Sequence, residues 1–209
     1  LGKTFEGLAV MKYYQLRNYR ILLLAPKKLR ENWTVYKEND KRNILAQDRL
    51  NYDVLNHTDL SRVKGKSGDI DLEMINWGNY DLVVIDESHN FRNNPTRSGM
   101  TRYKRLMNDV IKANIRTKVL MLSATPVNNK MNDLKNQIAF ITEGDDEAFK
   151  SYGIDSITQV MRDSQRRFTQ WFRNGDPDDL NVNELLESID GAYFRILDML
   201  TIARSRKHI

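Results

Sequence analysis

The sequence contains no cysteine, which excludes disulfides and thiolate metal sites and suits a reducing, intracellular (cytoplasmic) compartment. It also lacks any long hydrophobic run. The longest, such as "ILLLA" and "LVVI", fall far short of the ~20 apolar residues that a bilayer span requires, so no membrane partner is expected. There is no internal repeat, no low-complexity tract and no recognisable signal peptide. What remains is an ordinary globular composition, 40% hydrophobic and 29% charged over 209 residues, enough for one large domain or a domain with an appendage.

The net charge of +5 is unevenly spread. Residues 1–142 carry 24 Lys and Arg against 15 Asp and Glu, residues 143–190 carry 5 against 12, and residues 191–209 carry 4 against 1. The basic surplus therefore belongs to the first two thirds of the chain, where it suits either a polyanionic partner or a merely solvated basic surface.

From Arg20 onward, short runs rich in Ile, Leu and Val alternate with stretches of helical period. "RILLLAP", "YDLVVIDE" and "TKVLMLSATP" read as strands; "KKLRENWTVYKEN", "TRYKRLMNDVIKAN" and "MNDLKNQIAFI" read as helices. This alternation predicts an α/β fold, a mostly parallel sheet with helices on both faces, whose ligands gather at the carboxyl ends of the strands. Beyond "TEGDDEAF" the strand signal stops, and helices are expected around Ser156–Phe172 and Glu184–Ala203, separated by "NGDPDD".

Three stretches carry chemistry. "LGKT" at residues 1–4 matches the closing triplet of a phosphate-binding loop, which ends Gly-Lys-Ser/Thr at the head of a helix whose free amides face phosphates. "LVVIDESHNF" delivers Asp86 and Glu87 in succession at a strand end, where one carboxylate can face Mg²⁺ and the other an attacking water; alone, the pair would equally be an ordinary turn. "LSATPVNN" ends a strand with two small hydroxyls and a stiffening proline, and alone it too would be a turn.

In order and content, "LGKT", "ILLLAPKKLRENW", "DESH" with "NFRN", and "LSATPVNN" resemble motifs I, Ia, II and III of the superfamily-two helicases, and more narrowly of the Swi/Snf-related DNA translocases. The terminal "IARSRKHI" is similar to the basic stretch that closes that group's first lobe. The resemblance implies a RecA-like ATP-binding lobe over residues 1–142, entered partway through motif I, a helical protrusion over 143–200 and a basic closing segment over 201–209. It implies ATP and Mg²⁺ as cofactors, with Gly2 and Lys3 at the β/γ-phosphates, Thr4 and Asp86 on the metal, and Glu87 orienting and deprotonating water. His89, Ser123 and Thr125 would couple nucleotide state to the polymer. A simple surface histidine is the bland reading of His89.

The implied partners are double-stranded DNA and a second RecA-like lobe with its arginine fingers. The 209 residues contain only first-lobe motifs, so the expectation is a portion of a longer motor that does not hydrolyse ATP by itself. Lys27 and Lys28 follow a strand end and can meet phosphates or form a solvated basic turn. Asn56, His57 and Thr58 fall where such motors place another DNA-facing loop. Trp33 reads as core rather than as a nucleic-acid contact. Two rivals share parts of this pattern: an RNA or single-strand helicase of the same superfamily, and a non-catalytic nucleic-acid-binding module, against which the intact Asp86 and Glu87 speak.

Overall fold

The computed structural model describes residues 2–38, 40–93, 99–114, 117–124, 131–174 and 181–202. They form two compact units, one within residues 2–126 and one within 127–209.

The first unit begins with α1 (Lys3–Gln15). Its first turn closes through Glu6 N–H onto the Gly2 carbonyl at 3.0 Å, and Gly2 itself sits at φ 94°, a left-handed conformation open to glycine because it has no Cβ. Next come β1 (Ile21–Ala25), α2 (Glu31–Thr34), β2 (Asp53–Asn56), the two-residue strands β3 (Lys66–Ser67) and β4 (Ile70–Asp71), β5 (Leu82–Asp86), α3 (Arg102–Lys104) and β6 (Lys118–Leu122). Four strands make one parallel sheet in the order β2-β1-β5-β6, and β3 pairs with β4 as a separate antiparallel hairpin.

β1 and β5 are buried at all five positions, which is why they read as unbroken apolar runs: a central parallel strand is covered on both faces. Leu8 and Met11 of α1 join Leu23, Val54, Val84 and Leu122 of the sheet in one cluster. Each such fully buried side chain contributes ~1.5–3 kcal/mol. α1 lies close on this cluster because residue 7 is glycine; a Cβ there would come within 3.0 Å of the Trp33 ring and 3.1 Å of Leu122.

The second unit is helical: α4 (Met131–Ile141), α5 (Ile157–Asn174), α6 (Val182–Ser188) and α7 (Gly191–Leu200). Its core joins Leu134 and Ile138 of α4 to Ile157 and Met161 of α5, Leu185 of α6 and Ile196 of α7. The sequence reading ends the first lobe at residue 142, whereas by packing α4 goes with the helices that follow it. Among the described residues no helix is long and apolar enough to cross a membrane.

Local chemistry explains where elements differ from the sequence pattern. The helix expected from Lys27 is instead a 3₁₀ turn, Lys27–Leu29, followed by the short α2. Asn43 donates to the carbonyls of Tyr36 and Glu38 at 3.1 and 2.9 Å, taking acceptors that a longer helix would use itself. The helix expected over Glu184–Ala203 is broken at Asp190, which is extended and caps α7 by accepting from Ala192 N–H at 2.8 Å. The stretch after α3 continues as a π-helix over Arg105–Ile111. β2 was not expected as a strand; its short apolar pair gains its place by pairing along β1.

Candidate active site

The sheet brings the ends of β5 and β6 beside the start of α1, and the sequence-predicted catalytic residues meet there. β5 ends in Asp86, 8% exposed. Its Oδ1 accepts from the backbone N–H of Glu87 at 2.9 Å and its Oδ2 accepts from the indole N–H of Trp33 at 2.9 Å. Trp33 is held in turn by the Tyr52 hydroxyl, which donates to its carbonyl at 2.7 Å. Trp33 is thus core, 1% exposed, and it is also a direct partner of the motif II carboxylate, a link with no local signal in the sequence.

Glu87 turns the chain. At φ 50° and ψ 51° it occupies the left-handed region, costly for a residue with a Cβ and characteristic of functional turns. Asn90 secures the turn with its backbone and side-chain N–H groups, both donating to the Glu87 carbonyl, at 3.1 and 3.0 Å. The carboxylate then faces two cationic or titratable partners: Lys3 Nζ lies 3.2 Å from Oε1 and His89 Nδ1 lies 3.2 Å from Oε2. Ser123 Oγ stands 3.5 Å from the same His89 nitrogen. Lys3, Glu87, His89 and Ser123 form one chain of contacts across three elements. Thr125 lies outside the described residues, as do 203–209 of the basic closing segment.

Gly2 and Thr4 line an open groove of about 420 Å³ with Phe5, Glu31, Tyr36 and Arg42. The residues expected from the sequence to hold a metal are Thr4, through its hydroxyl, and Asp86. Each Asp86 oxygen accepts one hydrogen bond in the contacts above, leaving lone pairs for a cation. Among the described residues no group of three or more His, Asp or Glu could hold a metal. One carboxylate with one hydroxyl fits Mg²⁺, which keeps waters and substrate phosphates as its other ligands, and would not suit an all-protein cage.

The expected nucleic-acid residues lie at the other half of the same sheet edge, where Ala25 of β1 pairs with Asn56 of β2. Lys27 and Lys28 are exposed on the turn after β1, and Thr58 is exposed after β2. Asn56 is half-buried. His57 corrects the sequence reading: it is 4% exposed, its ring packs edge-on against Phe91 at 4.9 Å, and it offers no surface to a polymer. Burial pushes its pKa down to about 4, although the carbonyls of Leu24 and Asp86 favour the charged ring.

A polar network missed by the sequence reading braces this half. Arg30 donates to Ser67 Oγ at 2.7 Å, Ser67 donates to Asp59 Oδ2 at 2.5 Å, and Arg62 pairs with Asp59 Oδ1 at 2.9 Å. Burial works against the Asp59 charge, but hydrogen bonds from Ser67, Asn56 and Arg62 outweigh it and hold the carboxyl below its usual range.

No family model matches the chain. It is 30% identical over 148 residues to YqhH, an uncharacterized ATP-dependent helicase of Bacillus subtilis, covering 69% of this chain and 25% of that protein. It is 32% identical over 100 residues to the ATP-dependent helicase fft2 of Schizosaccharomyces pombe, covering 48% of this chain and 7% of that one. The chain thus spans a quarter or less of the length of these relatives. In fold it is similar to the Sulfolobus solfataricus SWI2/SNF2 ATPase core in complex with dsDNA, with a TM-score of 0.50 and 19% identity over all of this chain and 39% of that one. Its parallel four-stranded sheet with flanking helices has the RecA-like fold of such a core, and in sequence the chain is related to proteins named ATP-dependent helicases.

Proposed function

We propose that the chain is the ATP-binding lobe of a motor that translocates on double-stranded DNA and hydrolyses ATP together with a second RecA-like lobe. The observation that carries this reading is the convergence of Lys3 and His89 on the Glu87 carboxylate, beside an Asp86 whose two oxygens are fixed by Trp33 and the backbone.

In this reading Gly2, Lys3 and Thr4 take the phosphates of ATP, as the start of a helix with a lysine suits. Thr4 and Asp86 would hold Mg²⁺, which would supply positive charge to neutralise the phosphates. Lys3 pairs with Glu87; a phosphate bound at the head of α1 would compete for the same lysine and free Glu87 to orient water and accept its proton. His89, between Glu87 and Ser123, senses that change and passes it to the strand end of β6; Thr125 is assigned to the same relay. Lys27, Lys28 and Thr58 meet the DNA backbone, with Asn56 behind them. The second lobe supplies the arginine that phosphoryl transfer to water requires.

The test is equilibrium binding of Mg-ATP to the chain and to its Lys3→Ala variant, followed by stimulation of the full-length motor's ATPase with duplex DNA, single strands and RNA. Lys3-dependent binding with stimulation by duplex DNA is expected. Stimulation by RNA or single strands alone would replace the translocase with a helicase, and DNA binding by a chain that shows no Lys3-dependent binding of Mg-ATP would reduce the lobe to a non-catalytic module.

A further inference from the structure

Residues 143–190 of the helical unit are acidic as a sequence, and the basic residues of that stretch are not scattered. Of the five Lys and Arg in residues 143–190, set against twelve Asp and Glu, four are arginines of α5: Arg162, Arg166, Arg167 and Arg173. All four are exposed. α5 buries Ile157, Met161 and Ser164 and packs Phe168 and Trp171 against the unit's core. The 3.6-residue turn places Arg162, Arg166 and Arg173 within about 40° of arc on the side away from that core, in a row of about 16 Å. Arg167 stands off this row and lines a groove at the end of the helix with Gln170 and Glu184.

We infer that the Arg162–Arg166–Arg173 row of α5 is a contact strip for the phosphate backbone of duplex DNA, used in addition to Lys27 and Lys28. This rests on the DNA-translocase reading above. Among the described residues Arg166 alone of the three has a carboxylate within ion-pair distance, Asp163 at 3.0 Å, and an exposed pair of that kind neutralises little. The row is made only of arginine, whose planar fork takes phosphate oxygens two at a time. Its regular spacing along one line matches a rod that carries a negative charge every ~1.7 Å of axis. The carboxylates elsewhere on the unit repel the same rod, so contact is confined to this strip.

The test is fluorescence anisotropy of a short mixed-sequence duplex with the 209-residue chain, between about 50 and 200 mM salt, for the wild type and for Arg162→Gln/Arg166→Gln/Arg173→Gln. Loss of three phosphate contacts should weaken binding and lower the salt slope by about 2.7, at ~0.9 per contact, with far-UV circular dichroism unchanged. The corresponding triple Lys variant should keep most of the slope. If the Gln triple loses helix signal, the single variants Arg162→Gln and Arg173→Gln decide, each expected to lower the slope by about 0.9. A wild type that binds duplex with the variants matching it overturns the strip and leaves the translocase reading standing. A wild type that does not bind duplex overturns both. If polyglutamate binding, and not duplex binding, is lost in the triple variant, the strip serves an acidic protein and the DNA assignment is wrong.

Discussion

The indole N–H of Trp33 donates to Asp86 Oδ2 at 2.9 Å, from a residue 53 positions earlier in the chain. Trp33 sits on α2, directly after the turn that exposes Lys27 and Lys28, so one buried bond ties the proposed polymer-facing turn to the proposed metal carboxylate.

Trp33→Phe removes the donor together with part of the buried ring. A hydrogen bond to a charged group is worth ~1.5–3 kcal/mol net and the lost ring atoms add a cavity term, so unfolding of the chain in denaturant should shift by at least that amount. Combined with Asp86→Asn in a double-mutant cycle, the two changes should be clearly non-additive. Additive effects would mean that the contact carries no energy.

Glu87→Gln is expected to leave Mg-ATP binding intact and to lower hydrolysis by the full-length motor by orders of magnitude, because the amide keeps the shape of the side chain and cannot accept a proton from water. It also removes the charge that holds Lys3 at 3.2 Å, so nucleotide affinity should hold or rise. Near-normal turnover in a steady-state assay would assign the base elsewhere.

Lys27→Ala/Lys28→Ala should weaken duplex binding uniformly across sequences and lower the salt slope by about 1.8, since each phosphate contact contributes ~0.9. An unaltered slope returns the two lysines to a solvated turn.

His57 gives the chain a pH signature. Its folded pKa, about 4, lies below the ordinary value of 6.5, so below pH 6.5 the unfolded state binds the proton more readily and the fold loses stability as pH falls. Above that value the ring is neutral in both states and contributes no slope. The loss approaches ~1.4 kcal/mol per pH unit between these limits, a few kcal/mol at most. Asp59 and Asp146, both held below the ordinary carboxylate range, add their losses only in more acid solution. Denaturation midpoints measured from pH 7.5 down to about 4.5 should therefore fall in the wild type and stay nearly flat in His57→Gln.

The architecture was legible wherever local pattern and final environment agree. β1 and β5 announce themselves because burial on both faces demands unbroken aliphatic runs. Gly2, Lys3, Asp86 and Glu87 could be grouped because their motifs recur in a recognisable order. β2 was missed, since "DVLN" contains two apolar residues and is a strand only by virtue of its neighbour. His57 was misread for a related reason: it sits in the polar stretch "NHTD", and its burial comes from Phe91, far along the chain. Trp33–Asp86 and Arg30–Ser67–Asp59 join distant segments, and no periodicity of either partner encodes such a bond. Asn43 and Asp190 ended helices through side-chain bonds that hydrophobic spacing does not register.

The close approach at Gly7 has an evolutionary consequence. With the Trp33 ring 3.0 Å and Leu122 3.1 Å from where a methyl group would stand, a larger side chain could be accepted only by lifting the helix that carries Lys3 or by shrinking what lies beneath. Homologous chains that replace this glycine should show a compensating smaller residue at position 33 or 122. Drift at these three sites should be correlated, so that the seat of the helix is inherited as a unit rather than residue by residue.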